Sequence, residues 1–206
     1  AGAITQGSGS VVGKNVHIDA SGNIGSGATA LQIDASSVDL TSSNGLIHVA
    51  NTSSDLNLGA TATSLNGAVT VSQRGNLTLQ GVNARGNIDV QSGGALTIAD
   101  TVSSTGGDIA LSAASIQQYA TVETTGTGNI QAQSNGAIVM ASTSLTRAEA
   151  GTIRYESGGS ISVGSIQTST GTDGGSVVLV AAELIDTLPG QVNVTAQNIS
   201  LSAQNL

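Results

Sequence analysis

Aliphatic positions recur along this chain at a spacing too long for a helix or a single strand. Gly, any residue and an aliphatic occur in succession at Gly2-Ala3-Ile4, Gly22-Asn23-Ile24, Gly45-Leu46-Ile47, Gly67-Ala68-Val69, Gly86-Asn87-Ile88, Gly107-Asp108-Ile109, Gly128-Asn129-Ile130, Gly151-Thr152-Ile153 and Gly175-Ser176-Val177. The intervals are 20, 23, 22, 19, 21, 21, 23 and 24 residues, and Ile199 follows at a further 22 with Gln197 in place of the glycine. A fixed period of this size marks a solenoid built from one repeating unit. A second column lies seven to nine residues after the first, at Val11, Leu31, Leu56, Leu77, Leu96, Ile116, Ile138, Ile161 and Leu184. A third and less regular one falls at Val16, Val38, Leu65, Val82, Val102, Val122, Leu145, Ile166 and Val192.

Within each column the hydrophobic pattern alternates with period two, as in Val69-Thr70-Val71, Ile88-Asp89-Val90, Leu77-Thr78-Leu79 and Leu96-Thr97-Ile98, the signature of strands with one face inward. No segment carries a sustained helical period with caps, so crossover helices are missing. Strands this short bury their apolar faces only by stacking turn upon turn. The pattern therefore predicts an all-β, three-sided parallel β-helix with about 22 residues per turn and nine to ten turns, running through residues 1–206 as one segment of a longer repeat protein. Variable turn length and the handedness of parallel crossovers predict a right-handed coil. The recurrent glycine is expected at a sharp corner, where a positive φ costs glycine little.

Composition narrows the picture. The chain has 28 Gly, two Tyr, one Pro and no Cys, Trp or Phe, so its core is built from Ala, Val, Ile and Leu. Only 9% of residues are charged and the net charge is −8, with Lys14, Arg74, Arg85, Arg147 and Arg154 as the cations. So few scattered cations exclude nucleic acid as a partner. The longest apolar stretch, Val177 to Ala182, is six residues, far short of a membrane span. Without cysteine there is no disulfide framework, which suits a chain exported unfolded.

The strings Gly75-Asn76-Leu77-Thr78-Leu79, Gly86-Asn87-Ile88-Asp89-Val90 and Gly94-Ala95-Leu96-Thr97-Ile98 resemble the repeats of filamentous haemagglutinin-like bacterial adhesins, and the likeness covers nearly the whole chain. The resemblance implies a large secreted β-helical exoprotein of the two-partner-secretion type. Such proteins pass through an outer-membrane transporter and mediate attachment, aggregation or toxin delivery. The amino-terminal secretion domain of that family carries Asn-Pro-rich signatures, whereas the one proline here is Pro189, so this chain reads as an internal piece of the shaft. The expected function is a structural and adhesive shaft segment, secreted or on the bacterial surface, contacting host or neighbouring-cell glycans or matrix proteins. It is expected to catalyse nothing and to need no cofactor or metal.

Two other readings compete: a passive spacer without a ligand, and a polysaccharide lyase or hydrolase drawing its acids from Asp89, Asp108 and Glu123. Asp89, Arg154 and His48 share an outward offset but lie turns apart. His17 over Asp39 is the best adjacent pair, and a surface ion pair is the simpler account of it. Candidate ligand-binding loops gather Arg147, Glu149, Arg154, Glu156 and Asp173 near the longer third-to-first connections. A candidate polar binding stripe runs through Asn57, Thr78, Thr97 and Gln117 in a series beginning at Gln32 and continuing to Val139 and Ser162; solvated strand faces need the same residue types without binding anything. Tyr155, at an inward offset, is expected to fill the core, while Tyr119 lies beside the second column with its role open. Asp173-Gly174-Gly175 lacks the nonapeptide repeat of calcium-binding coils, and no serine has the setting of a nucleophile.

Overall fold

The computed structural model describes residues 2–65, 67–169, 171, 174–189 and 192–204. They form a parallel β-solenoid of nine turns without a helix, its strands arranged in three parallel ladders. The first ladder carries the Gly-x-aliphatic column in unbroken register. Ile4, Ile24 and Ile47 are joined by single bridges, and Ile47, Val69, Ile88, Ile109, Ile130, Ile153, Val177 and Ile199 then pair strand to strand. At a strand spacing of about 4.8 Å, nine turns make a rod roughly 43 Å long.

The second ladder aligns Leu56, Leu77, Leu96, Ile116, Ile138, Ile161 and Ile185. The third aligns Ile18, Leu40, Ala60, Val82, Val102, Val122, Thr146, Ile166 and Val194. Alternate residues of all three point inward, and nearly all of these aliphatics between the end turns are buried, from Ile24 to Leu179.

Several column assignments made from sequence are corrected by the structure. Val11 and Leu31 belong to the first ladder, where Val11 pairs with Ile33 and Leu31 with Val49. Val16 and Val38 lie in the second ladder, in line with Leu58. The cause is the corner between the second and third faces, which does not exist in the early turns. Single six-residue strands, Asn15–Ala20 and Ser37–Ser42, serve both faces there. A residue is first inserted after Leu79, where the register shifts and Gly81 takes φ 103°. The corner then widens to Ala99–Thr101 and later to residues 141–144. Leu65, Leu184 and Val192 are exposed, and the inward positions in their place are Ala60 and Ala62, Ile185, and Val194. At Leu145 the inward residue is its neighbour Thr146.

The recurrent glycines also do a different job from the one expected. None of those on the Gly-x-aliphatic column has positive φ; among the described residues the glycines that do are Gly9, Gly25, Gly81, Gly106 and Gly126. What excludes a side chain is the neighbouring turn: a Cβ at Gly151 would stand 1.8 Å from the Gly128 carbonyl oxygen, and one at Gly175 2.0 Å from that of Gly151. Backbone stacks directly on backbone at this corner. Inward hydroxyls at the strand ends satisfy the carbonyls thus exposed to the core: Ser42 Oγ donates to Gly22 O at 2.9 Å, Ser104 Oγ to Gly86 O at 2.8 Å and Thr124 Oγ1 to Gly107 O at 2.6 Å. Among the described residues no buried side-chain nitrogen or oxygen lacks a partner.

Candidate functional site

Because the ladders hold strict register, outward residues form straight columns, and each face has its own chemistry. On the second face Asn57, Thr78, Thr97, Gln117, Val139 and Ser162 stand in one line, one per turn. The expected stripe is present with one correction: Gln32 lies on the first face opposite Ala50, for the same reason that Leu31 does. Asp186 extends the line beyond Ser162. Tyr119 is 54% exposed beside it and its hydroxyl donates to Gln117 Oε1 at 3.1 Å, while Val139 is 45% exposed.

The charged candidates do not converge into one site. On the third face Glu123, Arg147 and Gln167 are in register, and Arg147 Nη2 donates to Glu123 Oε2 at 3.1 Å across one turn. Glu149 turns back to accept the backbone N–H of Gly126 at 2.7 Å. Arg147, Glu149 and Gln167, together with Thr125, Thr168 and Ser169, line a shallow groove of about 360 Å³. Arg154 and Glu156 are on the first face, paired with each other at 2.9 Å. Asp173 lies outside the described residues. The partly exposed pairs are of the kind that contributes little to stability.

A second groove of about 480 Å³ runs along the first face, with Asp89, Asp108, Gln131 and Arg154 on its walls and Ala110 at its middle. Ala110 and Gln131 occupy the two turns between Asp89 and Arg154, so those two line one groove without forming a pair. Asp108 is engaged in holding adjacent turns together, since its Oδ1 accepts the backbone N–H of Asn129 at 2.7 Å and the Asn129 amide at 3.1 Å. It is one step in a chain of side-chain acceptors between turns, in which Asn87 Oδ1 accepts from Asp108 N and Asn129 Oδ1 from Thr152 N. Glu123, the third acid considered for catalysis, is around the corner on the third face.

His17 stands over Asp39, as the sequence predicts, at 3.1 Å through Nδ1, and its Nε2 meets Asp19 at 2.9 Å. These bonds and charges, Asp19 foremost, raise its pKa above the ordinary value. At the other end of the chemistry, hydrogen bonds from Asn76 and Ser54 lower the Asp55 pKa. Among the described residues no group of three His, Asp or Glu could hold a metal ion.

Tyr155 is buried as expected, but it is more than filler. Its hydroxyl lies 2.7 Å from Thr146 Oγ1 and donates to Gln118 Oε1 at 2.8 Å; Gln118 Nε2 in turn donates to Ala120 O and Leu145 O. Burial pushes the phenol pKa well up. Ala132, opposite Tyr155 in the next turn, leaves room for the ring. This network and the Asn–Asp chain went unread in the sequence. Part of the signal was available: Gln118 is a polar residue at an inward offset, two after Ile116, and Asn or Asp follows the column glycine at Asn23, Asn87, Asp108 and Asn129.

Compared with models of known protein families, with curated proteins and with solved structures, the chain matches none.

Proposed function

We propose that this chain is a structural and adhesive shaft segment of a secreted or cell-surface bacterial exoprotein, exported through an outer-membrane transporter. The observation that carries the reading is the unbroken first ladder from Ile4 to Ile199. Ten in-register positions around one continuous aliphatic core make a stiff rod. A rod holds straight columns of outward side chains at fixed separation from whatever it is mounted on, and that is what a stalk with lateral contacts needs. The repeat strings that resemble filamentous haemagglutinin-like adhesins point the same way. Host or neighbouring-cell glycans and matrix proteins are the partners this reading implies.

The test is attachment. Beads coated with the purified chain are expected to adhere saturably to surfaces bearing glycans or matrix proteins, with soluble chain competing; failure on every surface reduces the chain to a spacer. A lyase or hydrolase reading has in its favour the first-face groove that brings Asp89 and Asp108 together. New reducing ends from pectin-like or alginate-like polymers, abolished by Asp89→Asn, would establish it against the adhesive one.

A further inference from the structure

We propose that the second face around Tyr119 is a binding surface for a neutral pyranose chain, a proposal that gives the adhesive reading its ligand class and rests on it. Of two aromatic residues in 206, one is buried and the other is held at the surface. The Tyr119 hydroxyl is fixed by Gln117 Oε1 at 3.1 Å, which draws the ring back along the strand toward the polar stripe. The register of Ile98, Gln118 and Met140 puts Ala99 and Ala141 at the same offset as Tyr119 in the turns on either side. Backbone bonds from Tyr119 N to Ile98 O and from Ala141 N to Gln118 O fix that placement. Two alanines stand at its offset in the turns on either side, and Tyr119 is 54% exposed. The exposed part of an aromatic ring face carries negative potential and suits the slightly positive C–H groups of a sugar ring.

The adjoining column supplies the hydrogen bonds. Thr97 and Thr78, in register with Gln117, make no side-chain hydrogen bond among the described residues, and Gln117 uses only its carbonyl oxygen. Their repeat of about 4.8 Å presents donors and acceptors at regular intervals along the rod axis, parallel to an extended chain of hydroxylated rings. Charge then selects among sugars. The column from Asn57 to Ser162 has no ionisable group; carboxylates flank it, with Asp186 next in line, Asp100 on the corner one turn from Tyr119 and Asp55 two residues before Asn57, against Arg74 four residues before Thr78 and the His17–Asp39 pair beside Gly59. With a net charge of −8 as well, the face repels sulfated, sialylated or uronate chains and accepts uncharged ones.

The experiment titrates the isotope-labelled chain with cellohexaose, chitohexaose, maltohexaose and mannohexaose, with a heparin hexasaccharide for contrast, and follows amide and methyl resonances. At least one neutral sugar is expected to shift Thr97, Gln117, Tyr119 and Val139 saturably, with a dissociation constant on the order of 1 mM. Tyr119→Ala should weaken it about tenfold, Tyr119→Phe much less, and salt up to about 1 M should change it little. Loss of response in Tyr119→Ala counts only with the wild-type strand circular dichroism retained, and the shift map on the unaltered chain is independent of that variant. The proposal is overturned if no neutral sugar shifts these residues, if the shifts map to another face, or if heparin binds there more tightly. Beads that still attach while these residues stay silent would overturn the saccharide surface and leave adhesion standing; sugar binding without bead attachment would do the reverse.

Discussion

Replacing Gly151 by alanine tests whether the repeat glycines serve stacking or backbone conformation. The new Cβ would lie 1.8 Å from Gly128 O and 2.6 Å from its carbonyl carbon, where ordinary contact begins near 3.4 Å. Relief requires the two turns to separate by about a third of the 4.8 Å strand spacing. That movement breaks the bonds beside the corner, Ile130 N to Thr152 O at 2.9 Å and Ala150 N to Gly126 O at 3.0 Å. Two backbone bonds at ~1 kcal/mol each, plus ~1–3 kcal/mol for overpacking, give a loss of about 3–5 kcal/mol. Two controls separate the causes. At Gly13 the Cβ meets only Val16 Cγ2 at 3.5 Å and Asn15 O at 3.6 Å, so Gly13→Ala should be neutral or stabilise by up to ~1 kcal/mol. At Gly106 the space is open but φ is 96°, so Gly106→Ala should cost only the left-handed penalty of ~1–2 kcal/mol. Urea unfolding followed by circular dichroism, compared at equal slope, measures all three. A Gly151→Ala variant no less stable than Gly106→Ala would refute close stacking as the reason for the glycine column.

Tyr155→Phe removes the hydroxyl between Thr146 and Gln118 and should cost about 1–2 kcal/mol, read as a lower urea midpoint, while Tyr155→Ala should cost about 3–5 kcal/mol through the cavity. Because the folded phenol pKa is raised, the unfolded chain ionises first. Stability should be complete below about pH 10 and fall by about 1.4 kcal/mol per pH unit above it, with Tyr155 phenolate absorbance appearing only as the strand signal is lost. For His17 the folded pKa is also raised, so its small contribution is present below pH ~6.5 and disappears as pH rises through the folded value. An NMR titration should find that pKa lowered more by Asp19→Asn than by Asp39→Asn and lowered by salt; equal, unshifted curves would contradict the geometry.

What the sequence disclosed was whatever depends on period and alternation. Ile4 through Ile199 fell on one ladder because a shared period of about 22 and an apolar residue at each position are both visible without coordinates. Phase was lost where turns differ in how they go round corners. Asn15–Ala20 crosses two faces without bending, whereas Met140 and Thr146 are separated by a loop, and nothing in a count of aliphatics distinguishes those cases. Single-residue slips such as Leu184 for Ile185 and Leu145 for Thr146 arose because a leucine beside a corner looks like a core residue, and inward threonine does not. The charged candidates were found but wrongly grouped. Arg147 and Arg154 are seven residues apart, yet the corner between them turns one to the third face and the other to the first.

Strict register has a consequence for how this surface can recognise anything. Inward positions contact the turns above and below, as Tyr155 contacts Thr146 and Gln118, so core changes propagate along the axis. The outward column of the second face carries no such constraint: there the chain places Thr97, Gln117, Val139 and Ser162 on successive turns without disturbing the ladders beneath. The first and third faces use that freedom for carboxylates and their partners, Arg154 with Glu156 and Arg147 with Glu123. The second face from Asn57 to Ser162 uses it for uncharged groups alone. In a chain of net charge −8 an uncharged column is the place where a neutral partner would approach without desolvating a carboxylate, as the proposed saccharide surface requires. The one exposed aromatic stands beside that column rather than in either charged groove.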